Sequence, residues 1–338
     1  VEKNYRRNKV TLKDIARELS LTPATVSKAL RDSSDISEKT KQIVKEKCKE
    51  MKYRPNILAR SLITKKSKIL GALIPDLRIS FFSEAVRGMY EEASNKGYEC
   101  ILMVHDEDIH KERKKIEFLS DIGVDGILLN AAGGDENLSL YKSLDEEGIK
   151  IVCWDRKINK LPFTTVKIDD VEASYELTSR MIKEGRRNIL FLGPNTLIPV
   201  CEDRFQGYKK ALKKFGIKFN PKLVLQTFRS IEDSYNKMSA LLNSKIKIDA
   251  VISIGGLITY GAGKAILDKK LSIPDDILLG EFGDNTIVAR LGVPYYTVDQ
   301  NPYVIGKTAT DILIDMLDNK KDYNDFDDVT IQYKIVER

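Results

Sequence analysis

The sequence predicts an α/β protein in three parts: an N-terminal three-helix, helix-turn-helix head, a short hinge, and a two-lobed body of doubly wound sheets. Three observations carry this. Residues 1–68 hold 19 Lys+Arg against 8 Asp+Glu, a net +11, whereas residues 69–338 hold 37 against 42, a net −5. The basic part is built from short helical periods with capping residues, while the acidic part alternates continuous apolar, β-rich runs with amphipathic helical stretches. Between them lies Arg54–Leu62, RPNILARSL, in which Pro55 ends whatever precedes it. The expected boundaries are 1–53 for the head, 54–67 for the hinge and 68–338 for the body.

Val1–Lys9 is polar and reads as an arm. Thr11 then opens a helix, with Asp14 three residues on as a variant capping box and Leu12, Ile15, Ala16 and Leu19 along one face. Ser20-Leu21 breaks it. Thr22 is the next N-cap, Pro23 suits the first helical position, and Val26, Ala29 and Leu30 continue the apolar stripe. A third helix runs from Ser37 to about Lys52, with Ile43, Val44, Cys48 and Met51 expected inward and Lys41, Lys45, Lys49 and Lys52 outward. A helix-turn-helix sets its second helix in a major groove, N-terminal end foremost. Here that end is Pro23, Ala24 and Thr25, and Lys28 one turn on can donate to guanine O6 and N7. Hydroxyls at or near helix starts, on Thr11, Thr25, Ser27, Ser37 and Thr40, suit phosphate oxygens rather than base edges.

The hinge is two helical turns at most, beginning at Asn56. Isolated helices shorter than about 12–15 residues are marginal in water, so the segment is helical only when something binds it, or else it is a plain linker. Asn56 joins the phosphate-facing group.

In the body the expected strands are Ile69–Pro75, Cys100–Val104, Gly126–Asn130, Lys150–Trp154, Ile189–Gly193, Ala250–Ile254, Leu278–Phe282 and a last run Val329–Val336. Helices such as Ser83–Lys96, Val171–Glu184, Arg204–Phe215 and Ile258–Lys269 fall between them. That alternation implies parallel sheets covered on both faces, with ligands outside the carboxyl ends of strands. Strand-end residues are therefore the cleft candidates: Asp76 after the first strand, Trp154 as a stacking platform beside Asp155, and Phe228 as a further wall. The four cysteines, without CxxC spacing, read as buried reduced thiols.

Much is excluded. Two histidines, His105 and His110, expected on the surface or in loops, accompany no nucleophile pattern, and Gly255, Gly256, Gly261 and Gly263 before Lys264 lack the phosphate-loop spacing. No enzyme activity, cofactor or metal is expected. The basic N-terminus leads into no apolar run, and no window approaches a membrane span, so a cytoplasmic protein is expected.

The run VTLKDIARELSLTPATVSKALRD, followed by DISEKT, KYRPNILARSL and ILGALIPD, resembles the lac repressor/purine repressor family of bacterial transcription regulators, over nearly the whole chain. The resemblance implies a sequence-specific DNA-binding regulator, more often a repressor. Base reading would fall to Pro23, Ala24 and Lys28. A hinge helix would form on a near-palindromic operator, with Leu62 as the minor-groove wedge and Ala59 at the contact between two copies. The body would be periplasmic-binding-protein-like, with an N-lobe of about 68–168 and 295–326 and a C-lobe of about 169–294 and 327–338. The chain would cross between lobes near Ile168, Pro294 and Asp327. An effector would lie in the cleft, stacked by Phe82 and held by Arg204. Where relatives carry two carboxylates for sugar hydroxyls, this chain has Gly256 and Gly283, with Glu281 or Asp284 as substitutes, and Ile198, Pro199 and Val200 nearby are apolar. The expected effector is therefore a sugar derivative or a flatter, more apolar or anionic metabolite, and the expected assembly a homodimer without a C-terminal tetramerising coil. The competing reading is a solute-binding receptor; a sugar-processing enzyme lacks a coherent acid/base set.

Overall fold

The structure, a computed structural model, describes residues 10–53, 66–193, 198–228, 230–283 and 286–338. Asn56, Ala59, Leu62 and Asp284 lie outside the described residues. The chain divides into two compact units, Val1–Ser67 and Lys68–Arg338.

In the first unit, helices α1 (Leu12–Glu18), α2 (Pro23–Leu30) and α3 (Glu38–Glu50) each begin on a hydroxyl cap: Thr11, Thr22 and Ser37. Thr11 and Asp14 form the reciprocal capping box. The core is Ile15, Ala16, Val26, Ala29, Val44 and Cys48, ringed by partly buried Leu12, Leu19, Leu30, Ile36 and Met51. Two inward–outward assignments on α3 reverse. Ile43 is 42% exposed, while Lys41 is buried along its stem and pairs with Glu38 at 2.7 Å. Residues 41, 44 and 48 lie at helical spacing on the core face, so the lysine snorkels and the isoleucine faces water.

The second unit holds two six-stranded sheets. The first contains β1 (Ile69–Ile74), β2 (Glu99–Val104), β3 (Gly126–Leu129), β4 (Lys150–Trp154), β5 (Thr165–Lys167) and β11 (Val329–Thr330). Their order is β11-β5-β4-β3-β1-β2. The second contains β6 (Ile189–Gly193), β7 (Val224–Gln226), β8 (Ala250–Ser253), β9 (Leu278–Phe282), β10 (Tyr296–Asp299) and β12 (Lys334–Glu337), ordered β12-β10-β9-β8-β6-β7. Pairing is parallel except between β10 and β12. Both sheets thus reverse direction once, between β1 and β3 and between β6 and β8, and such switch points open crevices at strand carboxyl ends. Helices α4 (Ser80–Asn95), α5 (Ile109–Asp121) and α6 (Leu138–Glu146) accompany the first sheet. Helices α7 (Asp170–Lys183), α8 (Pro199–Lys214), α9 (Ile231–Leu242) and α10 (Gly256–Asp268) accompany the second.

The lobe boundaries differ from expectation at two crossings. Tyr296–Asp299 pairs in the second sheet, so the chain returns to the first lobe after Asp299, not near Pro294. The run Val329–Val336 is two strands in two sheets, Val329 opposite Val166 and Val336 opposite Thr297, so the last crossing follows Thr330 rather than Asp327. An apolar run carries no mark of which sheet will take each half.

After the second crossing, α11 (Pro302–Asn319) packs on α4 through glycines. A Cβ on Gly306 would stand 1.9 Å from the Ala85 carbonyl oxygen, and one on Gly88 2.2 Å from that of Tyr303. Only glycine permits such a backbone approach. In the second sheet, Ile189, Phe191, Ala250 and Ile252 join the core shared with the first lobe, while Leu190, Leu192, Val251 and Leu279 face a separate core. Successive side chains alternate across a strand, so both faces are apolar. All four cysteines are buried, and none is in a disulfide.

Candidate functional sites of the head and the body

Helix α2 buries Val26 and Ala29 and leaves Pro23, Ala24 and Lys28 exposed. Pro23 and Ala24 bring no side-chain donor, so Lys28 is the one hydrogen-bonding side chain among the three. Its Nζ lies 2.5 Å from Asp35 Oδ2, in the turn between α2 and α3. The hydroxyls at the helix starts are engaged locally: Thr11 donates to the Asp14 carboxylate at 2.7 Å, Thr22 and Thr25 meet at 2.9 Å, and Ser37 and Thr40 at 2.8 Å. Ser27 is half-buried, and its carbonyl accepts from Arg31 Nε at 3.2 Å.

The body's cleft is built at both switch points. Its lining includes Ile79, Phe81 and Phe82 at the start of α4, Val200 at the start of α8, and Gly255–Ile258 at the start of α10. Asp155, Arg204, Phe282 and Gln300 complete it. The lobes stand close, leaving about 50 Å³ in which a water-sized sphere fits. Pockets that take small molecules run to roughly 300–1,000 Å³, so a ligand of sugar size requires the lobes to part.

Arg204 is the polar centre. It is 5% exposed, donates from Nε to Asp170 Oδ1 at 2.9 Å and from Nη2 to Gln300 Oε1 at 2.8 Å, and its guanidinium lies 4.1 Å from the centroid of Phe282. Burial pushes the Asp170 carboxyl up to about 6 against the pull of Arg204. From the first lobe, Asp155 borders the cleft in a left-handed backbone conformation, φ 62°, with Asn130 Nδ2 on its Oδ2 at 3.0 Å. Behind it a buried polar network fills the strand ends. His105 is fully buried with Nε2 2.9 Å from the Asn130 carbonyl, and Glu112 takes hydrogen bonds from Asn137, Tyr141 and the Ala132 amide. Burial lowers the His105 pKa, against the pull of Glu112 in the other direction, which favours the neutral ring. His105 is thus a core residue, not a surface one; the chain leaving β2 carries it inward to the Asn130 carbonyl just beyond β3.

Of the residues expected in the cleft, Phe82, Asp155 and Arg204 border it; three do not. Asp76 is engaged by Arg78, with Nη2 at 2.6 Å, and does not line the cavity. Trp154 is fully buried, its ring 6.3 Å from Phe81 and 6.0 Å from Phe82, so it backs the aromatic wall rather than forming it. Trp154 ends β4 with its ring in the core, and the left-handed backbone at Asp155, φ 62°, brings the next side chain to the cleft. Phe228 is 76% exposed, with Lys237 Nζ over its ring at 5.2 Å. Glu281, one candidate for the missing carboxylates, is buried on β9 and accepts from Thr297 at 2.9 Å, away from the cavity. Asp170, Phe282 and Gln300 were not expected. Each lies at or just beyond a strand end beside a lobe crossing or the second sheet's centre, the one signal that marks them.

A helix-turn-helix unit followed by a doubly wound, two-lobed body with a cleft at its switch points defines a transcription regulator with a periplasmic-binding-protein-like body. The profile of "Bacterial regulatory proteins, lacI family" matches residues 11–56, and that of "Periplasmic binding protein domain" matches residues 70–321. The chain is 33% identical to the HTH-type transcriptional regulator RegA of Clostridium saccharobutylicum, over 97% of this chain and 98% of that protein. It is 30% identical to the ribose operon repressor of Halalkalibacterium halodurans, over 92% and 91%. Among solved structures, the lac repressor dimer bound to operator and the anti-inducer ONPF superposes with a TM-score of 0.85 at 19% identity, covering 97% of this chain and 98% of that one, which shows the shared fold. The chain belongs to the lacI family of bacterial regulatory proteins, and is a DNA-binding transcription regulator rather than a solute receptor.

Proposed function

We infer that this regulator is a repressor that works in the cytoplasm as a homodimer on a near-palindromic operator, and that a small molecule held between the lobes sets its affinity for DNA. The carrying observation is Arg204, buried at the cleft and braced by Asp170 and Gln300, facing Phe82 and Asp155 of the other lobe. A ligand touching both sides has different affinities for open and closed lobes, which is the requirement for shifting one state over the other. The walls are chiefly apolar, which supports a flat or partly apolar effector, a sugar derivative or an anionic metabolite, with Arg204 as its polar anchor. Pro23, Ala24 and Lys28 face bases, while Thr11, Thr25, Ser27, Ser37 and Thr40 serve phosphates.

Dimerisation is supported by the first sheet's edge. Among the described residues strand β2 pairs only with β1, and its Ile101, Leu102, Met103 and Val104 are half-buried beside Tyr90, 41% exposed. An apolar open edge invites a second chain. Among the described residues no helix is long and apolar enough to cross a membrane.

The test is selection of binding sites from random duplex DNA, followed by affinity against salt with and without a metabolite library. Expected are palindromic sites, a steep negative log–log salt slope from several phosphate contacts, and a metabolite that shifts affinity at least tenfold in wild type but not in Arg204→Ala. A flat slope, or no responsive metabolite, defeats the reading.

A further inference from the structure

Resting on the DNA-binding reading of the head, we propose that Asp35 is a specificity-determining residue that works with Lys28 as one donor–acceptor reader of a G·C pair. The pair is held by its own backbone. Ser33 N–H donates to the Lys28 carbonyl at 3.1 Å, and Ile36 N–H to the Ser33 carbonyl at 3.2 Å. Lys45 ties down the start of the turn at Asp32, 2.8 Å away, and the Ser37 cap of α3 follows its end. The Asp35 carboxylate is thus presented beside Lys28 Nζ at 2.5 Å, both side chains about half exposed.

An ammonium alone discriminates poorly. It is a point charge without a fork, satisfied by guanine O6 and N7, thymine O4 or a phosphate oxygen. With Pro23 and Ala24 offering no donor, Lys28 unaided would leave the base-facing end of α2 almost unselective. The neighbouring carboxylate changes this. It repels phosphate and needs a donor, and where Lys28 takes the guanine acceptors the adjacent donor is the cytosine N4 amino group. One salt bridge therefore matches the acceptor–acceptor–donor order of a G·C major-groove edge.

The test uses the full-length chain and random duplex DNA, comparing wild type with Asp35→Asn and with Glu46→Gln, which removes the same charge from the exposed face of α3 and leaves the turn intact. Wild type is expected to select G·C at one position in each half-site. Asp35→Asn is expected to lower discrimination at that position about tenfold and to tighten binding to random DNA several-fold, whereas Glu46→Gln keeps the wild-type preference. Equal gains for both variants on specific and random DNA would reduce Asp35 to bulk charge and overturn the proposal. Selection of sites without a G·C requirement would overturn it too. Failure of wild type to enrich any site would instead strike the DNA-binding reading itself.

Discussion

Removing Arg204 should destabilise the body strongly and pH-dependently. Arg204→Ala deletes a 2.9 Å ion pair to a carboxylate that is 1% exposed, a 2.8 Å hydrogen bond to Gln300 and the stacking on Phe282. Stranding one partner of a buried pair costs about 3–5 kcal/mol. Most of that cost is the buried Asp170 charge, left with Lys167 Nζ 4.0 Å away, so pH modulates it. In wild type Asp170 titrates at about 6, above the value of about 3.9 in an unfolded chain. The native state therefore holds a proton the unfolded chain has released, and the stability this confers, full below about pH 4, is lost as pH rises through 6. Without Arg204 the native carboxyl titrates higher still, and the loss extends over a wider range. The gap between the variant and wild type should therefore be large at pH 8 and shrink by about half or more at pH 5. Urea denaturation followed by the fluorescence of Trp154, the single tryptophan, reads the body alone. A gap below about 1 kcal/mol at pH 8, or one equal at pH 5 and pH 8, would refute a buried, desolvated pair.

Three further outcomes follow from the same geometry. Gly306→Ala should destabilise the body by about 1–3 kcal/mol or more, because its Cβ meets a backbone carbonyl that cannot rotate away; denaturation midpoints read it. Thr22→Ala removes the cap of α2 and should cost the head about 1 kcal/mol, seen as earlier loss of helical circular dichroism in the first unit. Trp154 should emit as a buried indole resistant to iodide, and Phe82→Ala, which opens the aromatic wall in front of it, should red-shift the emission and admit the quencher.

The head was legible because its information is local. Thr11 with Asp14, and Thr22 with Pro23, lie within one turn of each other, and capping chemistry reads directly from such spacing. What failed there, Ile43 and Lys41, failed by a rotation of the helix face that only packing decides. Most of the body's strands were legible as apolar runs, though the short β5, β7 and β10 were not, and Arg204 was legible through the family pattern. The cleft was only half legible, because a strand end is visible in sequence but its side is not: Asp155 turns outward and Trp154 inward from adjacent positions.

By itself the sequence determined the class of each segment, since charge, caps and hydrophobic period act over a few residues. The tertiary structure alone decided which distant residues meet. Arg204 finds Asp170 34 positions away, at the start of α7, and Gln300 96 positions away, at the second lobe crossing. It likewise split Val329–Val336 between two sheets. Such pairings follow from closing parallel sheets around a shared core, a long-range condition that leaves no periodic trace in the residues that satisfy it.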